Sequence, residues 1–347
     1  MDYPLISVII PCRNEEDYVE KCIESVLACD YPKDKMEIII SDGMSTDKTR
    51  QILADYQNKY SFIKVIDNPK YIVPTAMNLA ILQAKGEYIV RLDMHSIYPQ
   101  NYISTLINFH LKHKCSNVGA ACLTMPANDS NKARSIAIAI SSKFGVGNSE
   151  YRTGINETRE YFETDAVPFG CYPKEIFEKY GLYDEQLVRN QDDELNERII
   201  KGGEKMYLIP SLKITYFSRE NFKKVFKMMY QYGYFGPLVS LKLQAKRRLR
   251  KYVPAVFVLS LVVPLLLSLI HPLFAVLTLC SFLPYVSLGL FMTILECKKQ
   301  NEKSLIPLVL WGSIVSHIGY GLGTLKGFLD FNILKKHNKE IVVKSSR

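Results

Sequence analysis

The sequence predicts an α/β domain built on a parallel, doubly wound sheet and followed by C-terminal membrane helices. Three observations lead there. Four short apolar runs alternate with helical patterns between residues 5 and 92. Turn and capping residues punctuate the junctions, and the longest apolar stretches are confined to the C-terminal part. At 347 residues, with 48% hydrophobic and 23% charged, the chain has the composition of a folded protein with ample core.

The elements follow in order. "LISVII" (5–10) is the first strand, and Tyr18, Val19, Cys22, Ile23 and Val26 recur at helical spacing until Tyr31-Pro32. "MEIII" (36–40) is the second strand; "SDGMSTDKT" supplies turn and cap chemistry before a helix with Ile52, Leu53 and Tyr56 on one face. "FIKVI" (62–66) is the third strand, ended by Asn68-Pro69. Pro74 opens a further helix, Gly86 closes it, and "EYIVRL" (87–92) is the fourth strand. Alternating β and α units imply parallel strands joined by crossovers.

From 101 to 216 the pattern is mixed. "NYISTLINFHLKH" and "KARSIAIAISSKF" read as helices, and "VGAACLTM", "AVPFGCYP" and "MYLIPSLKITY" as strands. Residues 126–131 and 145–156 read as loops. In "RNQDDELNERIIKGG" (189–203), Leu195 and Ile199 mark a helix that Gly202-Gly203 ends. Residues 219–252 are basic and aromatic, the pattern of a helix on a membrane surface.

Between Val253 and Leu295 there is no Asp, Glu, Lys or Arg; the run is too long for one span and is broken at His271-Pro272. A third stretch, Leu305 to Leu325, contains four glycines and is expected either to span or to pack at the interface. The boundaries expected are a catalytic domain 1–218, an interfacial segment 219–252, two or three transmembrane or re-entrant helices 253–325, and a basic cytoplasmic tail 326–347. The net charge of +9 gathers beside the apolar runs, in "KRRLRK" and "CKKQNEK", which favours the cytoplasmic side of a membrane over nucleic acid as partner. The acidic start and short first apolar run give no secretory signal, so the catalytic part is expected in the cytoplasm. Eight scattered cysteines without a C-x-x-C pair fit that setting.

Ligands of doubly wound sheets bind beyond the carboxyl ends of the strands. Pro11 to Glu15, Asp42, and Asp93 with His95 all fall there. The first turn, "PCRNEE", has no glycine, so a pyrophosphate-cradling G-x-G-x-x-G loop is absent, and so is a G-K-S/T loop. The phosphates of a nucleotide would then need a divalent cation. "RLDMHS" (91–96) offers the carboxylate of Asp93 and the imidazole of His95 as its ligands; the nitrogen suits Mn²⁺ at least as well as Mg²⁺. Asp42 can accept from a base N–H or a ribose hydroxyl, besides closing a Ser-Asp-Gly turn. Asp192, Asp193 and Glu194 crowd the first turn of a helix, where capping explains some acid and a general base would explain more.

Together, "SVIIPCRNEEDYVEKCIESVLACDYP", "EIIISDGMSTDKT", "VRLDMHSIYP" and "QDDEL" resemble the family 2 glycosyltransferases. With "FGCYPKEIFEKYGLYDEQLVRN", the Asp-x-His form is most similar to the succinoglycan-type exopolysaccharide branch. The resemblance covers roughly residues 4–235 and implies a glycosyltransferase-A, Rossmann-like fold, a nucleotide-diphosphate sugar donor, expected to be a UDP-sugar, and a metal-dependent inverting transfer. It implies nucleoside contacts at Pro11, Arg13, Glu15 and Asp42, with Arg91 and Asp93 toward the donor and Asp93 and His95 at the metal. Asp192 takes the place of the family's base; Gln191 stands where a glutamate precedes it, which keeps Asp193 as a rival. The processive members' Gln-x-x-Arg-Trp segment is absent, so transfer of one sugar to a membrane-bound, polyprenyl-linked glycan is expected.

Two other functions fit the sequence less well. A nucleotidyltransferase would want a glycine-rich basic first turn, whereas "PCRNEE" is acidic. A non-catalytic membrane scaffold is disfavoured by the presence of Asp42, Asp93 and Asp192 together.

Overall fold

A computed structural model describes residues 3–147, 149–153, 158–244 and 249–336. The chain forms two compact units: residues up to Leu123 with Glu150–Tyr216, and Thr124–Ser149 with Phe217 onward. Parts of the expected basic patch (246–248) and of the expected tail (337–347) lie outside the described residues.

The first unit opens with β1 (Ile6–Cys12), α1 (Val19–Leu27), β2 (Met36–Asp42), α2 (Thr49–Lys59), β3 (Ile63–Asp67), α3 (Val73–Gln83) and β4 (Tyr88–Arg91). β5 (Ser96–Ile97), α4 (Tyr102–Lys112) and β6 (Asn117–Met125) follow. After α5 (Asn131–Ser141) and α6 (Lys143–Val146), which belong to the second unit, come α7 (Glu150–Thr153), β7 (Phe162–Glu163) and β8 (Cys171–Pro173). α8 (Glu175–Tyr180), α9 (Gln191–Lys201) and β9 (Met206–Phe217) complete the series. The strands lie in the order β3-β2-β1-β4-β8-β6-β9-β5, with β7 on β9.

β1, β2, β3 and β4 pair in parallel, as the alternating sequence requires. Beyond β4 the sheet turns mixed: β4 with β8, β8 with β6 and β9 with β5 are antiparallel. The helices cover both faces. Val8 and Ile10 of β1 join Cys22, Ile23 and Val26 of α1 and Leu106 of α4, while Ile9 joins Met77 and Ile81 of α3 and Leu195 and Ile199 of α9. Alternate side chains of one strand thus feed two cores, which is why "ISVIIPC" is apolar apart from Ser7. Gly86 ends the α3–β4 turn where a Cβ would stand 2.4 Å from the Ser7 nitrogen, so no side chain fits. The stretch read as a loop at 145–156 includes the helical turn α7, and the strand read in "AVPFGCYP" shortens to β8.

In the second unit, α10 (Phe222–Leu243), α11 (Val253–Leu267), α12 (Leu273–Lys299) and α13 (Ile306–Gly327) follow one another, and α13 runs on as a π-helix to Ile333. Gly319, Gly323 and Gly327 of α13 lie under the carbonyls of Phe226, Tyr230 and Tyr234 of α10; a Cβ would meet those oxygens at 2.9, 2.1 and 2.1 Å. The four-residue period on both helices gives backbone-to-backbone packing. α5 adds Ile136 and Ile140 against Val225, and Ile138 against Leu305 and Val309. Among the described residues, two helices are long and apolar enough to cross a membrane: α12, almost wholly exposed, and Lys303–Ile333, which contains α13. α11 is shorter than that.

Candidate active site

Two turns at the strand ends lock together. Asn14 takes the left-handed conformation (φ 52°), its N–H donates to Ser45 Oγ (2.8 Å), and its Oδ1 accepts from the Thr46 N–H (2.8 Å). The Glu15 N–H donates to Thr49 Oγ1 (2.8 Å), and Glu16 exchanges hydrogen bonds with Asp47 and Lys48. Asn and Ser/Thr side chains thus satisfy turn backbone that no strand or helix reaches.

Asp42, at the end of β2, is fully buried. Its Oδ1 accepts from Ser45 Oγ (2.5 Å), and its Oδ2 from the Ser45 N–H (3.0 Å) and Arg50 Nη1 (2.8 Å). Arg50 Nη2 reaches Asp67 (2.8 Å), so this arginine straddles the ends of β2 and β3. Above them is a pocket of about 440 Å³ lined by Arg13, Met44, Ser45, Thr46, Arg50 and Tyr71. The Arg13 guanidinium lies 4.7 Å from the Tyr71 ring centroid, a cation–π stack at the pocket wall. Pro11 is buried in register with Ser41, and Glu15 does not line this pocket.

"RLDMHS" brings its charged groups together, though by a turn at Met94-His95 and not by an extended run. His95 Nδ1 lies 3.4 Å from Asp93 Oδ1 and 3.4 Å from Glu15 Oε1. Burial alone would lower the His95 pKa; Asp93 and Glu15 outweigh it and push it up to about 9. The Asp93 N–H is held by Tyr98 Oη (2.7 Å). Arg91, buried at the end of β4, places Nη2 3.9 Å from Asp93 Oδ2 and 3.6 Å from Asp192 Oδ2. Its guanidinium stacks 4.9 Å from the Phe169 ring, and Phe169 itself adopts a left-handed backbone (φ 51°), a strained state for a bulky residue.

Asn190, left-handed at φ 62°, turns the chain into α9. Of the three acids in its first turn, Asp192 is the one beside Arg91. Desolvation raises the Asp192 pKa above the ordinary carboxylate value; Arg91 opposes this, and Asp193 and Asp93 add to it. Glu194 is taken by Arg198 (2.7 Å). Gln191 is buried, with no hydrogen-bond partner on its Oε1 among the described residues.

No group of three or more His, Cys, Asp or Glu side chains able to hold a metal is present among the described residues. The adjacent Asp93 carboxylate and His95 imidazole are both partly open, 21% and 14%. One hard oxygen donor and one nitrogen fit a cation that draws its remaining ligands from diphosphate oxygens. The structure therefore gathers Asp93, His95, Glu15, Arg91 and Asp192 at one centre, and Arg13 with Arg50 over Asp42 at another. Arg50, Tyr71 and Phe169 escaped the sequence reading. Only the position of Arg50 beside the "SDGMSTDKT" cap could have signalled any of them.

The description "Glycosyl transferase family 2" matches residues 7–181. A Methanococcus voltae protein, dolichyl N-acetyl-alpha-D-glucosaminyl phosphate 3-beta-D-2,3-diacetamido-2,3-dideoxy-beta-D-glucuronosyltransferase, is 32% identical over 234 residues, covering 66% of this chain and 71% of its own. Succinoglycan biosynthesis protein ExoA of Rhizobium meliloti (strain 1021) is 28% identical over 93% of this chain and 95% of its own. Among solved structures, the mannosyltransferase PcManGT from Pyrobaculum calidifontis in complex with GDP-Man and Mn²⁺ superposes with TM-score 0.57 at 14% identity, covering 95% of this chain and 88% of that one. S. aureus TarS 1–349 in complex with UDP-GlcNAc gives 0.52 at 17% identity, covering 94% and 92%. These two likenesses establish the glycosyltransferase-A-like fold.

Proposed function

The chain belongs to glycosyl transferase family 2, and we propose on that premise that it transfers one sugar, with inversion, from a nucleoside-diphosphate sugar to a lipid-linked glycan at a membrane. The observation that carries this reading is the Arg91 guanidinium, which faces Asp93 and Asp192 at once. One buried cation thereby ties the carboxylate suited to the donor diphosphate to the carboxylate suited to the acceptor. Asp192 is the base: its raised pKa suits it to take a proton from an acceptor hydroxyl. Asp93 and His95 would hold a divalent cation, Mn²⁺ or Mg²⁺, which would supply positive charge to neutralise a nucleoside diphosphate leaving group. The pocket of Arg13, Arg50 and Tyr71 receives the nucleoside, with Asp42 beneath it fixing Ser45 and Arg50 instead of touching the base directly.

A UDP-sugar or GDP-sugar donor is supported by the ligands of the two solved neighbours. A polyprenyl-linked acceptor is supported by the dolichyl phosphate in the name of the Methanococcus voltae relative, and a place in polysaccharide synthesis by the name of the Rhizobium meliloti one. α12 and Lys303–Ile333 would cross the cell membrane, with the catalytic unit on the cytoplasmic side. The test is a panel of nucleotide sugars assayed for binding and for slow donor hydrolysis, with and without Mn²⁺. Metal-dependent release of a nucleoside diphosphate is expected; release of pyrophosphate, or no donor binding at all, would refute the reading. With a lipid-linked acceptor added to that assay, Asp192→Asn is expected to abolish transfer while donor affinity stays within a few-fold.

A further inference from the structure

Arg13 and Glu15 sit two residues apart, yet their side chains part company. Arg13 faces Tyr71 at the nucleoside pocket, whereas Glu15 Oε1 lies 3.4 Å from His95 Nδ1. Resting on the donor-site reading above, we propose that Glu15 is a positioning residue: it holds the His95 ring by Nδ1 and leaves Nε2 for the cation or a phosphate oxygen.

The geometry supplies the reasons. Nδ1 is shared between two carboxylates at equal distance, Glu15 and Asp93. Once Asp93 gives its oxygens to a cation, Glu15 is the acceptor that remains for the Nδ1 proton. The hydrogen bond at one imidazole nitrogen decides which nitrogen is free, and such outer partners orient the ligand ring. Glu15 is also well anchored for the task. Its N–H donates to Thr49 Oγ1, fully buried on α2, and its carbonyl accepts from the Tyr18 and Val19 N–H groups (both 2.9 Å) at the start of α1. The ring also meets Tyr216 edge-on, with centroids 5.3 Å apart. The imidazole is therefore in contact with both an anchored turn and an aromatic side chain. Asn14 of that turn also interlocks with Ser45 and Thr46 of the nucleoside pocket, which holds the turn in place independently of the Glu15 side chain.

The experiment uses the full chain in detergent, with Mn²⁺ binding followed by electron paramagnetic resonance in the presence of UDP or GDP. Binding of UMP or GMP without metal is measured in parallel. Glu15→Ala is expected to weaken Mn²⁺·nucleoside diphosphate binding about 10–100-fold, the usual cost of losing an outer partner of a ligand, while monophosphate affinity is unchanged. Glu15→Gln is expected to recover most of the loss, because its amide oxygen accepts the same Nδ1 proton. It also keeps the shape of the turn should the alanine variant fold poorly. In the His95→Ala background, Glu15→Ala should cost nothing further. Parallel loss of monophosphate binding would make Glu15 a nucleoside contact and overturn the proposal. So would a glutamine variant as poor as the alanine one, or an alanine variant that binds like wild type. Wild-type protein that binds neither diphosphate with Mn²⁺ would instead defeat the donor-site reading, and that result is visible before any variant is made.

Discussion

Replacing Arg91 by Met removes the one guanidinium that faces both Asp93 and Asp192. At 3.6 and 3.9 Å each pair carries about 4 kcal/mol of Coulomb attraction at an effective dielectric near 20. That is a gross figure: both carboxylates stay partly hydrated, and Asp192 is 34% open. The net effect is smaller: an opposite charge within about 4–6 Å typically lowers a carboxylate pKa by about 1–3 units. Arg91 is the leading influence holding the Asp192 pKa down against desolvation. Without it the carboxyl pKa rises further, so Asp192 stays protonated to higher pH. At about 1.36 kcal/mol per pKa unit, the acidic limb of the kcat profile should move up by about one to two units. Below that limb the rate should fall 10-fold or more; well above it, activity should partly return. The assay is the pH dependence of nucleoside diphosphate release, with thermal melting to verify that the variant is folded. Met keeps an unbranched apolar stem in place of that of Arg91 but removes the guanidinium, and with it the cation–π stack on Phe169. A folded Arg91→Met enzyme whose acidic limb coincides with wild type would refute the electrostatic bridge.

Other outcomes follow from the same geometry. Asp193→Asn should retain transfer, because Asp192 is the acid beside Arg91; a dead Asp193→Asn with an active Asp192→Asn would move the base by one residue. Mn²⁺ should restore chelator-treated protein at least as well as Mg²⁺, since one ligand is an imidazole; activity with Mg²⁺ and none with Mn²⁺ would exclude His95 as a ligand. Burial lowers the His110 pKa to about 4 from 6.5, where its Nε2 meets the Cys171 carbonyl at 2.9 Å. The unfolded chain therefore takes up this proton first on acidification. Stability is complete above pH 6.5 and declines toward pH 4 by about 3 kcal/mol, and His110→Gln should flatten that part of a denaturant-midpoint-versus-pH curve. On α13, Gly323→Ala would bring a Cβ to 2.1 Å from the Tyr230 carbonyl; a loss of about 1–3 kcal/mol is expected, measured as a lower melting temperature in detergent.

The parallel half of the sheet was legible because its information is local. Each strand from β1 to β4 is a short apolar run bounded by its own turn residues, and each crossover helix shows its period within a dozen residues. Beyond β4 the order β8-β6-β9-β5 interleaves strands from distant segments. β7, β5 and β8 are two or three residues long, too short to carry a period. α5 was readable as a helix, but its period says only that one face is apolar. That Ile136 and Ile140 meet Val225 of α10 is a tertiary fact. The glycines of α13 left two roles open, spanning and packing; their match to the carbonyls of Phe226, Tyr230 and Tyr234 emerges only when α10 is laid alongside.

The site follows the same division. Asp42, Asp93 and Asp192 stand at element ends, and an acid at the end of a strand or in the first turn of a helix can be seen from one strand's pattern. Their partners cannot. Arg50 reaches Asp42 from the first turn of α2, Glu15 reaches His95 across 80 residues, and Arg91 at the end of β4 meets Asp192 on α9. These pairings exist because β1 lies between β2 and β4, bringing three strand ends to one rim. Sequence position alone therefore groups Glu15 with Arg13, while strand order sends one to the imidazole and the other to the pocket of Arg50 and Tyr71. The division of labour in this site is set by the order of the sheet, and a substitution that shifted the ends of β1 and β4 relative to each other would separate His95 from Glu15 before it touched either side chain.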